Sequence, residues 1–245
     1  MMLFPGTCCH WKANFGKVIE PLTRNFCVAC VSYDGFDETE QTQFPGMLEE
    51  TAKIEDYVRV HFGGQVHAAY GCSLGGSFVG LLAARKNLHM KYGILGSSDL
   101  DQSGRFEAKV MATIAIPILY PFLTTGKFKL GIMNRKLEKR KKEMGEYVQA
   151  FLDMMCMPDL DMSFITKKSA KMQFYSDMIT PLPDKIAAEG TEIHILYALK
   201  MGKKYRTRYL QHFADPILHE MDLQHEELLA VYPDEWVKLL EEICL

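Results

Sequence analysis

Residues 66–85 read VHAAYGCSLGGSFVGLLAAR. The first five positions are rich in apolar and strand-forming residues, the turn GCSLG follows at 71–75, and small and apolar residues continue to position 85. This order predicts a strand, a tight turn and a helix, the setting in which a G-x-S-x-G turn presents a nucleophilic serine. The motif alone is common by chance, so the flanking strand and helix carry the interpretation. We therefore expect Ser73 to be a nucleophile.

The two glycines of this turn are expected to have a steric role. A strand that turns directly into a helix strains the backbone at the nucleophile, and side chains two positions before or after it would collide with the turn. The serine hydroxyl then points out beyond the end of the strand, where the helix N-terminus adds partial positive charge for an oxyanion. The alternative is a glycine-rich turn that contains Ser73 by coincidence.

Strand and helix patterns alternate along the rest of the chain. Short β-rich runs predict one strand that ends at residue 4 and others at 27–33, 66–70, 92–95, 192–198 and 217–221. The stretches between them predict helices at about 12–23, 47–61, 77–85, 203–213 and 233–243. This alternation predicts an α/β fold with a mainly parallel sheet flanked by helices.

Residues 100–184 interrupt that alternation. The strand pattern disappears there, and helical segments rich in Met, Phe, Leu and Ile take its place. Two consecutive strands of one sheet rarely need so long a connection. We therefore interpret 100–184 as an inserted helical cap on a core made of residues 1–99 and 185–245. The alternative is an ordinary set of helices that cover the sheet.

Composition and charge limit the classes of partner. The chain has 245 residues and a net charge of −3, values that fit one globular domain and give no reason to expect nucleic acid or an anionic membrane. A basic cluster at 135–142 alternates with glutamates and is interpreted as a solvated helix face. The most apolar run, 114–123, is short and contains two prolines, so no membrane span is expected.

The cysteines and the N-terminus bear on the compartment. Seven cysteines at irregular spacings favour reduced thiols, and residues 1–6 show no secretory signal pattern. Cys27 and Cys30 form a C-x-x-C pair within a predicted strand, where positions three apart point to opposite faces. Neither a metal site nor a redox pair is expected from that arrangement. These features predict a cytoplasmic protein without a metal, and they leave the oligomeric state open.

The turn at 71–75, an early Pro5-Gly6 loop and a histidine after the last predicted strand together resemble the α/β-hydrolase family. The resemblance is strongest to small bacterial serine hydrolases with helical caps, and it covers most of the chain in the order of its elements. It implies an oxyanion hole formed by two backbone N–H groups. One would come from Leu74, directly after the nucleophile, and the other from Thr7 or Cys8 in the early loop.

A base and an acid complete the machinery that the resemblance implies. His225 occupies the family's place for the catalytic histidine, and His212 and His219 are the alternatives. The usual acid should follow the strand at 192–198, but residues 199–205 read LKMGKKY and contain no carboxylate. Some family members take the acid from the end of the strand after the nucleophile helix, a place that holds Asp99 here.

Asp99 is therefore the first choice for the acid and Asp101 the second. Asp99 could instead cap the helix that follows it, since Asp is a common N-cap residue. A Ser–His dyad without an acid is a further alternative.

These residues together predict a carboxylesterase-like serine hydrolase. It would cleave a carboxylic ester or a similar acyl bond of a small molecule through an acyl-enzyme on Ser73, without a metal or an organic cofactor. The same residues would also serve an acyltransferase or a C–C bond hydrolase. A non-catalytic binding protein on the same fold is the alternative from another class. Labelling by a fluorophosphonate would distinguish the enzymes from the binding protein.

Overall fold

The computed structural model describes residues 1–156 and 162–245. Its described part contains one six-stranded sheet in the spatial order β2-β1-β3-β4-β5-β6, and every neighbouring pair of strands is parallel. The strands are β1 (Met2–Phe4), β2 (Ala29–Cys30), β3 (Gln65–Gly71), β4 (His89–Leu95), β5 (Glu192–Ala198) and β6 (Ile217–Met221). The expected mainly parallel sheet is confirmed.

The helices lie on both faces of this sheet, and along the chain they connect one strand to the next. In chain order they are α1 (Trp11–Phe15), α2 (Ile19–Leu22), α3 (Met47–Phe62), α4 (Leu74–Arg85), α5 (Arg105–Thr125), α6 (Gly131–Met144), α7 (Glu146–Met155), α8 (Lys167–Ile179), α9 (Lys203–His212), α10 (Glu227–Val231) and α11 (Pro233–Cys244). Short 3-10 helices cover Met162–Phe164 and Leu199–Met201.

Two apolar cores hold the layers together, one on each face of the sheet. Because successive residues of a strand point to opposite faces, Phe4 enters the core that contains Phe78 of α4, whereas Leu3 enters the core that contains Trp236 of α11. All four side chains are 0% exposed. Burial on both faces explains why these strands read as nearly continuous apolar runs rather than as alternating patterns.

Two predicted elements differ from those in the structure. The helix expected at 12–23 is divided into α1 and α2, with Gly16 as the C-cap of α1 and Val18 as the N-cap of α2. The strand expected at 27–33 is reduced to two residues at the edge of the sheet. It pairs with β1 alone, and β1 has only three residues to offer.

Helices α5 to α8 occupy the connection between β4 and β5, and the described part of this connection contains no strand. Within it, α8 packs against α5 and against α3, whereas α7 packs against α1 and α10. The connection therefore reaches helices on both faces of the sheet, as a cap would. Its division from the core at 100–184 stays a prediction, and residues 157–161 lie outside the described residues.

The longest of these helices, α5, continues through Pro117 and Pro121, which were expected to interrupt the apolar run. By length and composition it is the one helix of the described chain that could cross a membrane, and 33% of its most apolar stretch is buried. The expectation of no membrane span rested on the shortness of the ten-residue run and on its two prolines. The helix itself has 21 residues.

Glu50 of α3 makes folding stability depend on pH. It is 4% exposed, its Oε1 accepts a hydrogen bond from Asp34 N at 3.0 Å, and its Oε2 has no partner in the described chain. Loss of hydration on burial raises the pKa of Glu50 from 4.5 to about 7. Between pH 4.5 and about 7, Glu50 therefore keeps its proton in the folded protein, whereas the unfolded chain has already released it.

We predict that the free energy of unfolding falls as the pH rises from 4.5 to about 7, by up to about 3 kcal/mol for this group. Glu50→Gln should remove that part of the decline and be the more stable protein at pH 8. Denaturant unfolding at several pH values measures the effect, and Glu49→Gln, at an exposed position of the same helix, is the control. A decline unchanged in Glu50→Gln would contradict the prediction.

Candidate active site

Ser73 lies between the last residue of β3 and the first residue of α4. Its backbone has φ 48° and ψ −113°, a left-handed conformation that is rare for a residue with a side chain. Cys72 N donates to Phe4 O of β1 at 3.0 Å, which holds the end of β3 against β1. Gly75 N donates to Cys72 O at 2.7 Å and closes the turn. The strand–turn–helix geometry expected around Ser73 is therefore present.

The two glycines of the motif are required by close contacts. A Cβ atom at Gly71 would lie 2.2 Å from the carbonyl carbon of Gly75, and one at Gly75 would lie 2.1 Å from Phe4 O. Both distances are far below any real carbon contact and involve backbone atoms that cannot move aside. The spacing of the motif thus follows from strand β3, helix α4 and strand β1 meeting at one point.

A buried carboxylate, Glu226, lies beneath this turn. Its Oε1 accepts hydrogen bonds from Ser73 N and from Ser97 N, both at 2.8 Å, and its Oε2 accepts one from Tyr70 Oη at 3.1 Å. Glu226 is 3% exposed. A buried carboxylate is tolerated when several donors satisfy its oxygens, and here those donors come from the ends of β3 and β4.

The backbone of Glu226 is itself unusual, with φ 54° at the N-cap of α10. The carboxylate of Glu226 has room because Gly96 has no side chain: a Cβ at Gly96 would lie 2.6 Å from Glu226 Oε1. Burial, with the nearby carboxylate of Glu226, raises the pKa of Tyr70 well above its usual range, so the phenol stays a hydrogen-bond donor. The loop that contains His225 and Glu226 is thereby fixed to the turn at Ser73.

His225 precedes Glu226 and is held by helix α7. Its backbone carbonyl accepts a hydrogen bond from Tyr147 Oη at 2.9 Å, and its ring meets Phe151 edge-on at 5.9 Å between centroids. The two alternative histidines are engaged elsewhere. His219 Nε2 lies 3.0 Å from His194 Nδ1, and His212 at the end of α9 contacts Pro183 O.

Asp99 follows β4 and interacts electrostatically with His225. Burial raises the pKa of Asp99, and His225 is the largest of the neighbours that oppose this rise. The N-cap of α5 is Gly104, so Asp99 does not cap that helix. Asp101, the second choice for the acid, instead forms an ion pair with Arg208 of α9, and Arg208 Nη1 also donates to Asp99 O at 2.9 Å.

The early loop after β1 uses some of its backbone N–H groups in hydrogen bonds within the protein. Cys8 N donates to Gln173 Oε1 of α8 at 2.6 Å, and Gly6 N donates to Asn14 Oδ1 at 2.7 Å. Within the described chain, no acceptor is bound to the N–H groups of Thr7 or Leu74. Of the two loop amides named from the sequence, Cys8 is therefore already occupied and Thr7 is available.

Helix α8 brings two further polar groups to this region, and neither was expected from the sequence. Gln173 is 0% exposed, and its Nε2 has no partner in the described chain. Asp177 contacts Ser77 of α4, and loss of hydration raises the pKa of Asp177 to about 7 with help from the Asp99 and Asp101 carboxylates. Both residues lie in a helix whose sequence shows only apolar and polar alternation, so no local pattern marks them.

Glu226 was also missed, because an acidic residue just before a helix ordinarily reads as a solvated first turn. Its burial depends on donors from positions 70, 73 and 97, which are 129 to 156 residues away in sequence. Among the described residues there is no group of three or more His, Cys, Asp or Glu side chains that could hold a metal ion.

We predict that Glu226→Ala lowers the free energy of unfolding by about 2–5 kcal/mol, because two backbone N–H groups lose their acceptor. Glu226→Gln retains an acceptor oxygen of similar shape and should lose much less. Urea unfolding measures both, with Glu235→Ala at an exposed position as the control, expected within about 0.5 kcal/mol of the parent. Equal, small losses for Ala and Gln would argue against the network.

No protein-family model and no curated protein matches the sequence. Solved structures do match the fold. A Desulfitobacterium hafniense protein of the alpha/beta hydrolase family is 17% identical, with a TM-score of 0.74, over 99% of this chain and 94% of that one.

Two other matches agree. A hydrolase from Pseudomonas aeruginosa is 12% identical, with a TM-score of 0.72, over 98% of this chain and 88% of that one. A thermophilic esterase from Thermogutta terrifontis is 14% identical, with a TM-score of 0.67, over 98% and 87%. Such identities establish a fold and not a reaction. With its parallel sheet and its strand–turn–helix at Ser73, the chain has the α/β-hydrolase fold.

Proposed function

We propose that the protein is a serine hydrolase that cleaves a carboxylic ester or a similar acyl bond through an acyl-enzyme on Ser73. The observation that carries this proposal is the strained turn, which holds Ser73 at φ 48° between β3 and α4. Such strain is maintained only where the surrounding structure enforces it, and it is typical of functional positions. The similarity in fold to hydrolases and an esterase supports the same reaction class.

In the proposed reaction, Ser73 Oγ attacks the carbonyl carbon of the substrate while His225 takes its proton. The carbonyl oxygen becomes an oxyanion, and the free N–H groups of Leu74 and Thr7 are the proposed donors to it. The intermediate collapses, the C–O or C–S bond to the leaving group breaks, and His225 returns the proton to that group. Water then attacks the acyl-enzyme by the same route and releases the acid.

Asp99 is the proposed acid. Its interaction with His225 suits a carboxylate that stabilises the imidazolium formed during the attack, whereas Asp101 is neutralised by Arg208.

We also propose that the connection at 100–184 acts as a cap, because α7 holds the His225 loop and α8 holds the Cys8 amide. The route uses protein groups alone, and the seven free cysteines fit the proposed cytoplasmic location.

We predict that Ser73→Ala lowers kcat for p-nitrophenyl esters by at least about 10³-fold and abolishes labelling by a fluorophosphonate. A series of increasing acyl length gives the substrate preference. Ser103→Ala, at a half-buried position before α5, should keep both activity and labelling. A wild-type protein that neither turns over esters nor reacts with the probe would contradict the proposal and favour a binding protein.

Asp99 and Asp101 form a matched pair, two residues apart on one loop. We predict that Asp99→Asn lowers kcat by about 10²- to 10⁴-fold, because the imidazolium of His225 loses its counter-charge. Asp101→Asn breaks only the ion pair with Arg208 and should change kcat less than about fivefold. Steady-state kinetics of both variants distinguishes a triad through Asp99 from one through Asp101, and two nearly full activities would indicate a dyad.

A further inference from the structure

Helix α5 exposes an apolar stripe to solvent. Phe106, Val110 and Ile114, spaced four residues apart, lie on one side of the helix and are 82%, 40% and 61% exposed. Its opposite side is buried through Ala108, Ala112 and Ile116. The buried side of α5 and its packing against α8 set the rotation of the helix, so that Phe106, Val110 and Ile114 face solvent. Exposed apolar residues arranged as a patch mark an interaction site.

Cations flank this stripe. Lys109 is exposed on α5 itself, and two lysines reach the helix from α8. Lys171 Nζ donates to Thr113 Oγ1 at 2.9 Å, and Lys167 Nζ lies 5.5 Å from the centroid of the Tyr120 ring. Both lysines thus stay beside α5 while their charges remain at the surface.

Helix α6, the next helix after α5 in the chain, is also positively charged. It has no buried residue, and Ile132, Arg135 and Lys142 are all exposed on it, with no acidic partner for the two cations in the described chain. Residues 105–145 hold ten basic and three acidic residues, a net charge of +7 in a chain of net charge −3. A helix of 14 residues with so little packing is marginal in water, and a polyanionic partner would stabilise it.

We propose that the α5–α6 surface, meaning the apolar stripe of α5 with its neighbouring lysines and the exposed cations of α6, binds an anionic lipid bilayer. In this proposal the apolar stripe lies at the level of the lipid headgroups and the cations contact the lipid phosphates. Apolar side chains beside basic ones are the composition of peripheral membrane contacts. A second copy of the chain across a twofold axis would bring two surfaces of net charge +7 together. A nucleic acid would leave the aliphatic side chains of the stripe, Val110 and Ile114, without a partner. The proposal does not depend on the proposed hydrolase activity.

The test is sedimentation of the full chain with two kinds of vesicle, one of phosphatidylcholine alone and one of equal parts phosphatidylcholine and phosphatidylglycerol. We expect binding to the anionic vesicles only, with a loss when salt shortens the Debye length from about 10 to about 3 Å. Phe106→Ser and Ile114→Ser should each weaken the partition by about tenfold, and Arg135→Glu with Lys142→Glu by at least about tenfold.

Matched controls lie outside this surface. Val60→Ser removes an apolar side chain of α3 that is 76% exposed. Lys17→Glu with Lys91→Glu reverses two exposed cations outside residues 100–184. The single variant and the double variant should both bind vesicles like the parent. Equal binding to both vesicles, no binding, or binding that ignores the α5 substitutions would overturn the proposal. A dimer in analytical ultracentrifugation that Ile114→Ser dissociates, without vesicle binding, would assign the surface to a second copy instead.

Discussion

The carboxylate of Glu226 is the interaction on which the site depends. It accepts hydrogen bonds from Ser73, from Ser97 after β4 and from Tyr70 in β3, and it belongs to the loop that carries His225. Three segments that are distant in sequence are thus fixed by one buried side chain. Both Ser73 and Glu226 have left-handed backbones, and the two strained residues are joined by the hydrogen bond from Ser73 N to Glu226 Oε1.

The helices between β4 and β5 complete the site from the other side. Tyr147 and Phe151 of α7 contact His225, and Gln173 of α8 binds the amide of Cys8. The sheet therefore positions the proposed nucleophile, whereas these helices position the proposed base and the loop of the oxyanion hole. Substitutions in α7 or α8 should consequently act on the geometry of the site even where they do not touch a substrate.

Local patterns predicted what depends on local physics. The strand before Ser73, the glycines around it and the strands at 192–198 and 217–221 agree with the structure, because burial and turn sterics are written in neighbouring residues. Long-range pairings left no such mark. Glu226 lies 153 residues from Ser73, and Gln173 lies 165 residues from Cys8, so neither partner could be inferred from its surroundings. The proposed roles of Asp99 and His225 stay predictions.

The helices between β4 and β5 have two sides with different surroundings. Their inward side, through α7 and α8, contacts the loops that carry His225 and Cys8. The outward side of α5 exposes Phe106 and Ile114, and the next helix, α6, is strongly basic. The first side bears on the proposed reaction and the second on the proposed contact with a membrane. Because the two sets of side chains are separate, exposed substitutions on α5 or α6 are predicted to change vesicle binding while the hydrogen bonds around Ser73 stay intact. The proposed membrane contact and the proposed reaction therefore rest on different side chains of the same connection.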